Sequence, residues 1–192
     1  MVDLARKSAF AGLLAPAGPS PAGVFAAERV GLGLAMVEPR RGRGPELSAR
    51  VEALYGLTPP SGPARAAAGP VAFLGLGPSR WLASSEDDGD AFAGDLAFEL
   101  EGVASVIAQT GGLGVLRISG PRARDAFAKG LPIDLDPSVF PVGVVASSIL
   151  AHIPVTLWRP DEAGYEVAVA RSFAGDFWHW LATSAGEFGL AV

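Results

Sequence analysis

The chain has 192 residues, 49% of them hydrophobic and 18% charged, with a formal net charge of −5 and no cysteine. That length fits one domain or at most two small ones. The missing thiols exclude disulfides, thiolate metal sites and cysteine nucleophiles, and two histidines cannot build the usual Cys/His zinc site without carboxylates.

Residues 1–27 read as a flexible or extended arm, punctuated by Pro16, Gly18, Pro19, Pro21 and Gly23. The apolar patch after Arg6 and Lys7 is short for a secretory signal core and Asp3 precedes it, so no signal peptide is expected. Residues 30–37 suit a strand. A basic turn follows, with Arg40, Arg41 and Arg43. Leu47, Val51, Leu54 and Tyr55 then recur at helical spacing, and Gly56 stands where glycine ends a helix. Residues 58–70 read as a loop, 71–76 as an apolar strand, and Trp81-Leu82 as resumed extended chain. Asp88 or Asp90 can cap a helix reaching Glu101, with Phe92, Leu96, Leu100 and Val103 on one stripe.

Residues 103–109 and 114–119 read as a hairpin around Gly111-Gly112. Gly120-Pro121 opens a short helix that Gly130 ends. Residues 138–158 contain no Asp, Glu, Lys or Arg and approach bilayer-spanning length. Pro141 and Pro154 interrupt the tract, and its Val and Ile content favours two strands with a turn near Ala151 over a membrane helix. Residues 165–171 alternate as a strand. Ser172 is the expected cap of a last helix carrying Phe173, Phe177, Trp180, Leu181, Ser184 and Phe188. The fold class is α+β, a mixed, mostly antiparallel sheet with about four helices, and residues 28–192 form a single domain.

No catalytic constellation emerges. Gly75-Leu76-Gly77 follows a strand, but Pro78 and Arg80 break the dinucleotide fingerprint, which leaves a strand-end turn. No G-x-S-x-G elbow exists. His152 and His179 read as edge or surface residues, and Ser84 to Asp88 as a solvated acidic turn. No catalytic, cofactor-binding or metal-binding residue is assigned. The acidic balance opposes nucleic-acid binding.

The charged fraction lies below the roughly 25% of ordinary soluble domains, and the mean hydropathy is +0.34. Much of the surface should therefore be apolar, as at a partner interface; an alanine- and glycine-rich bias is the competing account. Trp178 falls about 200° round its helix from the core-facing Trp180. With Trp81, Arg171 and the Arg40, Arg41 and Arg43 turn, it makes the set of candidate interface residues.

A collinear series extends this reading. It runs through 8–13 (Ser-Ala-Phe-Ala-Gly-Leu), 74–82 (Leu-Gly-Leu-Gly-Pro-Ser-Arg-Trp-Leu), 116–125 (Leu-Arg-Ile-Ser-Gly-Pro-Arg-Ala-Arg-Asp), 129–135 and Phe140-Pro141. It continues through 151–159 (Ala-His-Ile-Pro-Val-Thr-Leu-Trp-Arg), 171–174 (Arg-Ser-Phe-Ala) and 178–181. In this order the series resembles the gamma subunits of heterotetrameric sarcosine oxidases. The resemblance implies a reduced form of the aminomethyltransferase folate-binding fold and a non-catalytic subunit supporting assembly. The complex would demethylate sarcosine oxidatively to glycine, with tetrahydrofolate as one-carbon acceptor and hydrogen peroxide as product. Its partners would be alpha, beta and delta subunits, with FAD, FMN, NAD, tetrahydrofolate and zinc on those chains and none on this one. No membrane or nucleic-acid partner is expected, and the location would be cytoplasmic. Two other readings compete: a stand-alone folate-dependent aminomethyl-transfer protein, for which Asp95 and Glu99 at i, i+4 are candidate carboxylates, and a small unrelated binding module.

Overall fold

In the computed structural model, which describes residues 7–87 and 89–192, two sheets stack back to back and helices cover their outer faces. The chain enters as β1 (Val24–Glu28), crosses to β2 (Gly33–Pro39) and passes through α1 (Gly44–Tyr55). Three strands follow: β3 (Arg65–Ala68), β4 (Val71–Gly77) and β5 (Arg80–Ser85). Then come α2 (Phe92–Glu99), β6 (Ala104–Ala108), β7 (Leu113–Ser119), α3 (Ala123–Ala128), β8 (Val145–Leu150), β9 (Ile153–Asp161) and β10 (Gly164–Ala170). The chain ends through α4 (Ala174–Ala185) and β11 (Leu190–Ala191).

The first sheet has the order β11-β1-β7-β10-β9-β8 and the second β3-β4-β5-β2-β6. Among these pairs only β1 with β11 is parallel. Period-two alternation assigns the faces. Along β10, Tyr165, Val167 and Val169 join the core under α3 and α4 with Phe127, Phe177 and Leu181. Ala168 points the other way and packs with Val115, Val145 and Trp158 against Leu34, Leu74 and Leu82 of the second sheet. That sheet's far face, with Val37, Phe73 and Ala83, is covered by Leu47 and Val51 of α1 and Leu96 of α2. The result is four layers, helix, sheet, sheet, helix, each buried stripe facing its neighbour.

Several elements fall where the sequence puts them. The helix over α1 ends at Gly56, in the left-handed region at φ 69°. The charge-free tract folds as β8 and β9, and no helix among the described residues is long and apolar enough to cross a membrane.

Other readings are corrected. β6 and β7 do not form a hairpin. β6 pairs with β2 in the second sheet, whereas β7 pairs with β1 and β10 in the first. The Gly111-Gly112 segment is the crossing between layers, held where the Gln109 amide donates to the Leu34 carbonyl at 2.7 Å and the Leu34 amide to Thr110 Oγ1 at 2.9 Å. The loop over 58–70 contains β3. Neither α2 nor α4 has a side-chain N-cap; Phe173, not Ser172, precedes α4, after a 3₁₀ turn at Arg171–Phe173. Asp88, a candidate cap, lies outside the described residues.

The described part of the arm is not loose. Phe10 is fully buried, edge-on to Phe177 with ring centroids 6.3 Å apart. Residue 17 bridges to β11, with its amide donating to the Leu190 carbonyl at 3.0 Å, and residues 24–27 belong to β1. A proline- and glycine-rich stretch lacks periodicity, yet its backbone groups still find partners in a sheet edge.

Candidate interface and buried charge network

Glu166 lies mid-strand on β10 and faces the layer between the sheets, in register with Arg117 of β7 and Trp158 of β9. Its residue exposure is 5%, which requires charged partners. Arg29, just past β1, donates from Nη1 to Glu166 at 2.6 Å and from Nη2 to Glu86 at 2.8 Å. Glu86 follows β5, so Arg29 ties the two sheets together. Arg117 lies 3.8 Å from Glu166 and grips both oxygens of Asp161 at 2.7 and 2.8 Å. Burial raises the Glu166 carboxyl above the usual glutamate range, and it outweighs the opposing pull of Arg29 and Arg117. Asp161 is held below its usual range chiefly by the Arg117 hydrogen bond.

Beside this network a cavity of about 160 Å³ is lined by Ser8, Glu28, Arg29, Thr110 and Arg171. Its charges are engaged internally. Glu28 accepts from Ser8 Oγ at 2.6 Å and from the Phe10 amide at 3.1 Å. Arg171 donates to the carbonyls of Lys7 at 2.7 Å and Ser8 at 3.2 Å. This cavity is smaller than the roughly 300–1,000 Å³ of ordinary cofactor pockets, and its charged residues serve the fold. They fasten the N-terminal turn to the sheets.

The sequence-derived interface residues do not converge. Trp178 is 7% exposed and packs in the core under α4, while Trp180 is partly exposed. The core stripe of α4 runs through Ala174, Phe177, Trp178, Leu181 and Ala185; Trp178 lies within it, and its assignment to a partner face is corrected. Trp81 is 6% exposed and donates from Nε1 to the Pro60 carbonyl at 2.8 Å. Arg171 is exposed but occupied with the N-terminal turn. Arg40, Arg41 and Arg43 remain on the surface.

Gly75 is explained by backbone approach: a Cβ there would lie 2.0 Å from the Gly62 carbonyl oxygen. Glu99, a candidate carboxylate of the transferase reading, accepts a hydrogen bond from the Tyr55 hydroxyl. His152 and His179, 27 positions apart in sequence, line one open groove with Phe173, Asp176 and Trp180. Among the described residues no group of three or more His, Asp or Glu side chains is placed to hold a metal ion.

Residues 41–187 match the sarcosine oxidase, gamma subunit family. The chain belongs to that family. It is 37% identical over 134 residues to the sarcosine oxidase subunit gamma of Arthrobacter sp., covering 69% of this chain and 66% of that one. It is 33% identical over 118 residues to the gamma subunit of Corynebacterium sp. strain P-1, covering 62% and 58%. The aligned stretches thus span less than two thirds of these relatives' own lengths. A chain of the heterotetrameric sarcosine oxidase from Corynebacterium sp. U-96, solved in complex with pyrrole 2-carboxylate, superposes with a TM-score of 0.82. That match has 27% identity and covers 95% of this chain and 96% of that one. Glycine cleavage system aminomethyltransferase T from Bartonella henselae shares the fold, with a TM-score of 0.58 and 16% identity over 86% of this chain and 49% of that one.

Proposed function

We propose that this gamma-family chain is a non-catalytic assembly subunit of a heterotetrameric sarcosine oxidase. The superposition over 95% of its length on a chain of such an oxidase carries the reading. The arrangement of the chain's own charges supports it. Glu166, Arg29, Arg117 and Asp161 satisfy one another and hold the two sheets together, which is structural work.

In this proposal alpha, beta and delta subunits complete the complex, and FAD, FMN, NAD, tetrahydrofolate and zinc reside on them. The complex oxidatively demethylates sarcosine to glycine in the cytoplasm, with tetrahydrofolate accepting the one-carbon unit and hydrogen peroxide formed. Affinity purification of the tagged chain from its native source, followed by native mass measurement, tests the reading. The expected result is a stoichiometric complex containing flavin-bearing chains that turns over sarcosine. Recovery of the chain alone, at 19.6 kDa, overturns it.

A further inference from the structure

The Arg40–Arg43 turn has no structural use for most of its charge. It is a tight turn, closed where the Arg43 amide donates to the Arg40 carbonyl at 2.8 Å, and the Arg40 amide donates to the Val103 carbonyl, also at 2.8 Å. Gly42 takes φ 77° at the position that needs it. The backbone is therefore pinned to the end of α2 and β6 and holds the guanidiniums outward on an ordered platform.

Among the arginines of the described residues, only Arg40, Arg41 and Arg65 form neither a side-chain hydrogen bond nor an ion pair. Arg65 still feels the charge of Glu166. Arg43 pairs with Glu46, and Arg50 lies 3.5 Å from the same glutamate. Glu46 thus serves Arg43 and Arg50 and leaves Arg40 and Arg41 without a carboxylate, in a chain whose net charge is −5. The arginines also flank the positive end of α1, an unfavourable place for cations. Glu46, in the first turn of α1, is the acidic side chain that offsets them, and it is already engaged by Arg43 and Arg50.

We infer that the Arg40-Arg41 turn is a docking point for an acidic, aspartate- or glutamate-rich segment of another subunit. The inference rests on the subunit reading above and adds to it a surface and a partner chemistry. A carboxylate pair fits the guanidiniums, relieves their mutual repulsion and suits the adjoining helix end. Preorganisation of the turn lowers the ordering cost of binding. The overall acidic charge and the two-residue extent of the free basic surface favour an acidic polypeptide over nucleic acid or an anionic membrane.

The test uses the complex purified through the tagged full-length chain, comparing wild type with Arg40→Glu/Arg41→Glu and Arg40→Gln/Arg41→Gln. The expected recovery of accompanying subunits falls about tenfold or more in the charge-reversed variant and less in the neutral one. Recovery with the wild-type chain should also fall as salt rises from about 50 to about 500 mM. The melting temperature of the isolated variants should stay level or rise, since both side chains are exposed and unpaired. Full recovery with the charge-reversed chain overturns the docking point while leaving the subunit reading intact. No accompanying subunit with the wild-type chain fails the subunit reading itself, and the docking point with it. Arginine-dependent binding to DNA or to anionic phospholipid vesicles, with assembly undisturbed, overturns the choice of a protein partner.

Discussion

At the residue scale, the informative side chain is Glu166, a carboxylate on a strand centre that is buried because the second sheet stacks on its face. Folding raises its pKa, chiefly through burial, so the folded state holds this proton more tightly than the unfolded chain. Stability from this site is then greatest where the carboxyl is protonated and declines as pH rises from the ordinary glutamate range through the raised value. Glu166→Gln mimics the protonated form at every pH. The melting temperature of wild type minus that of E166Q should therefore fall as pH rises across about 4 to 7. The subtraction removes the opposite slope that Asp161, with its lowered pKa, gives both proteins below that range. If wild type gains on the variant instead, the arginines outweigh burial. Glu166→Ala, which leaves Arg29 only Glu86 and Arg117 only Asp161 and opens a gap between the sheets, should lose about 2–4 kcal/mol in chemical denaturation. The sequence did not single out this residue. Its partners lie 49 and 137 positions away in sequence, and no local pattern joins them.

At the element scale, α4 tests how a helix face is read. Trp178 belongs to the buried stripe and Trp180 to its margin, so Trp178→Ala should cost about 3–5 kcal/mol of stability and Trp180→Ala clearly less. Denaturant titration of the two variants measures this; equal losses would show that the margin packs as tightly as the centre. The β8–β9 hairpin offers the opposite sign. Ala151 and His152 have φ of 45° and 77°, the conformation of a two-residue turn that favours Asn-Gly. Replacing both, Ala151→Asn with His152→Gly, should raise the melting temperature by about 2–4 °C. An unchanged or lower value would mean that His152 makes a compensating contact.

These elements also show what was legible. Helix α1, strands β4, β8, β9 and β10 and the turn at Ala151 follow from periodicity and turn residues, which act locally. The failures were non-local. Gly111-Gly112 carries a valid turn signal, but strand pairing across the two sheets decides where β6 and β7 go. The arm looked loose because its partners, Glu28, Phe177 and Leu190, lie in distant segments. Trp178 was misassigned because comparison with Trp180 alone ignored how wide the buried stripe is. Of the candidate interface residues, only the basic turn stayed exposed and in part unpaired, and composition had already set it apart.

At the scale of the whole molecule, the four layers raise the question of how many units unfold. The two outer cores, under α1 and α2 and under α3 and α4, are separate clusters. A third cluster joins them, with Trp158 at 2% exposure packed among Leu34, Leu74, Leu82 and Val145. Backbone bonds add to it: the Arg65 amide donates to the Gly143 carbonyl at 2.7 Å and the Val145 amide to the Pro63 carbonyl at 3.0 Å. The chain also crosses between sheets after β1 and again after β6, so the second sheet is inserted as one segment between β1 and the rest of the first. A fully buried Leu or Val contributes roughly 1.5–3 kcal/mol, and several such side chains in the middle layer exceed what either half could forgo. One cooperative transition is expected. The tryptophans report it layer by layer, since Trp81 sits under α1 and α2, Trp158 between the sheets, and Trp178 and Trp180 on α4 at the core that α3 and α4 cover. Variants retaining only Trp81 or only Trp158, the others replaced by Phe, should each show fluorescence and far-ultraviolet circular dichroism midpoints that coincide in urea. Separate midpoints within one variant would mean that the middle layer opens first and that each sheet with its helices is an independent folding unit.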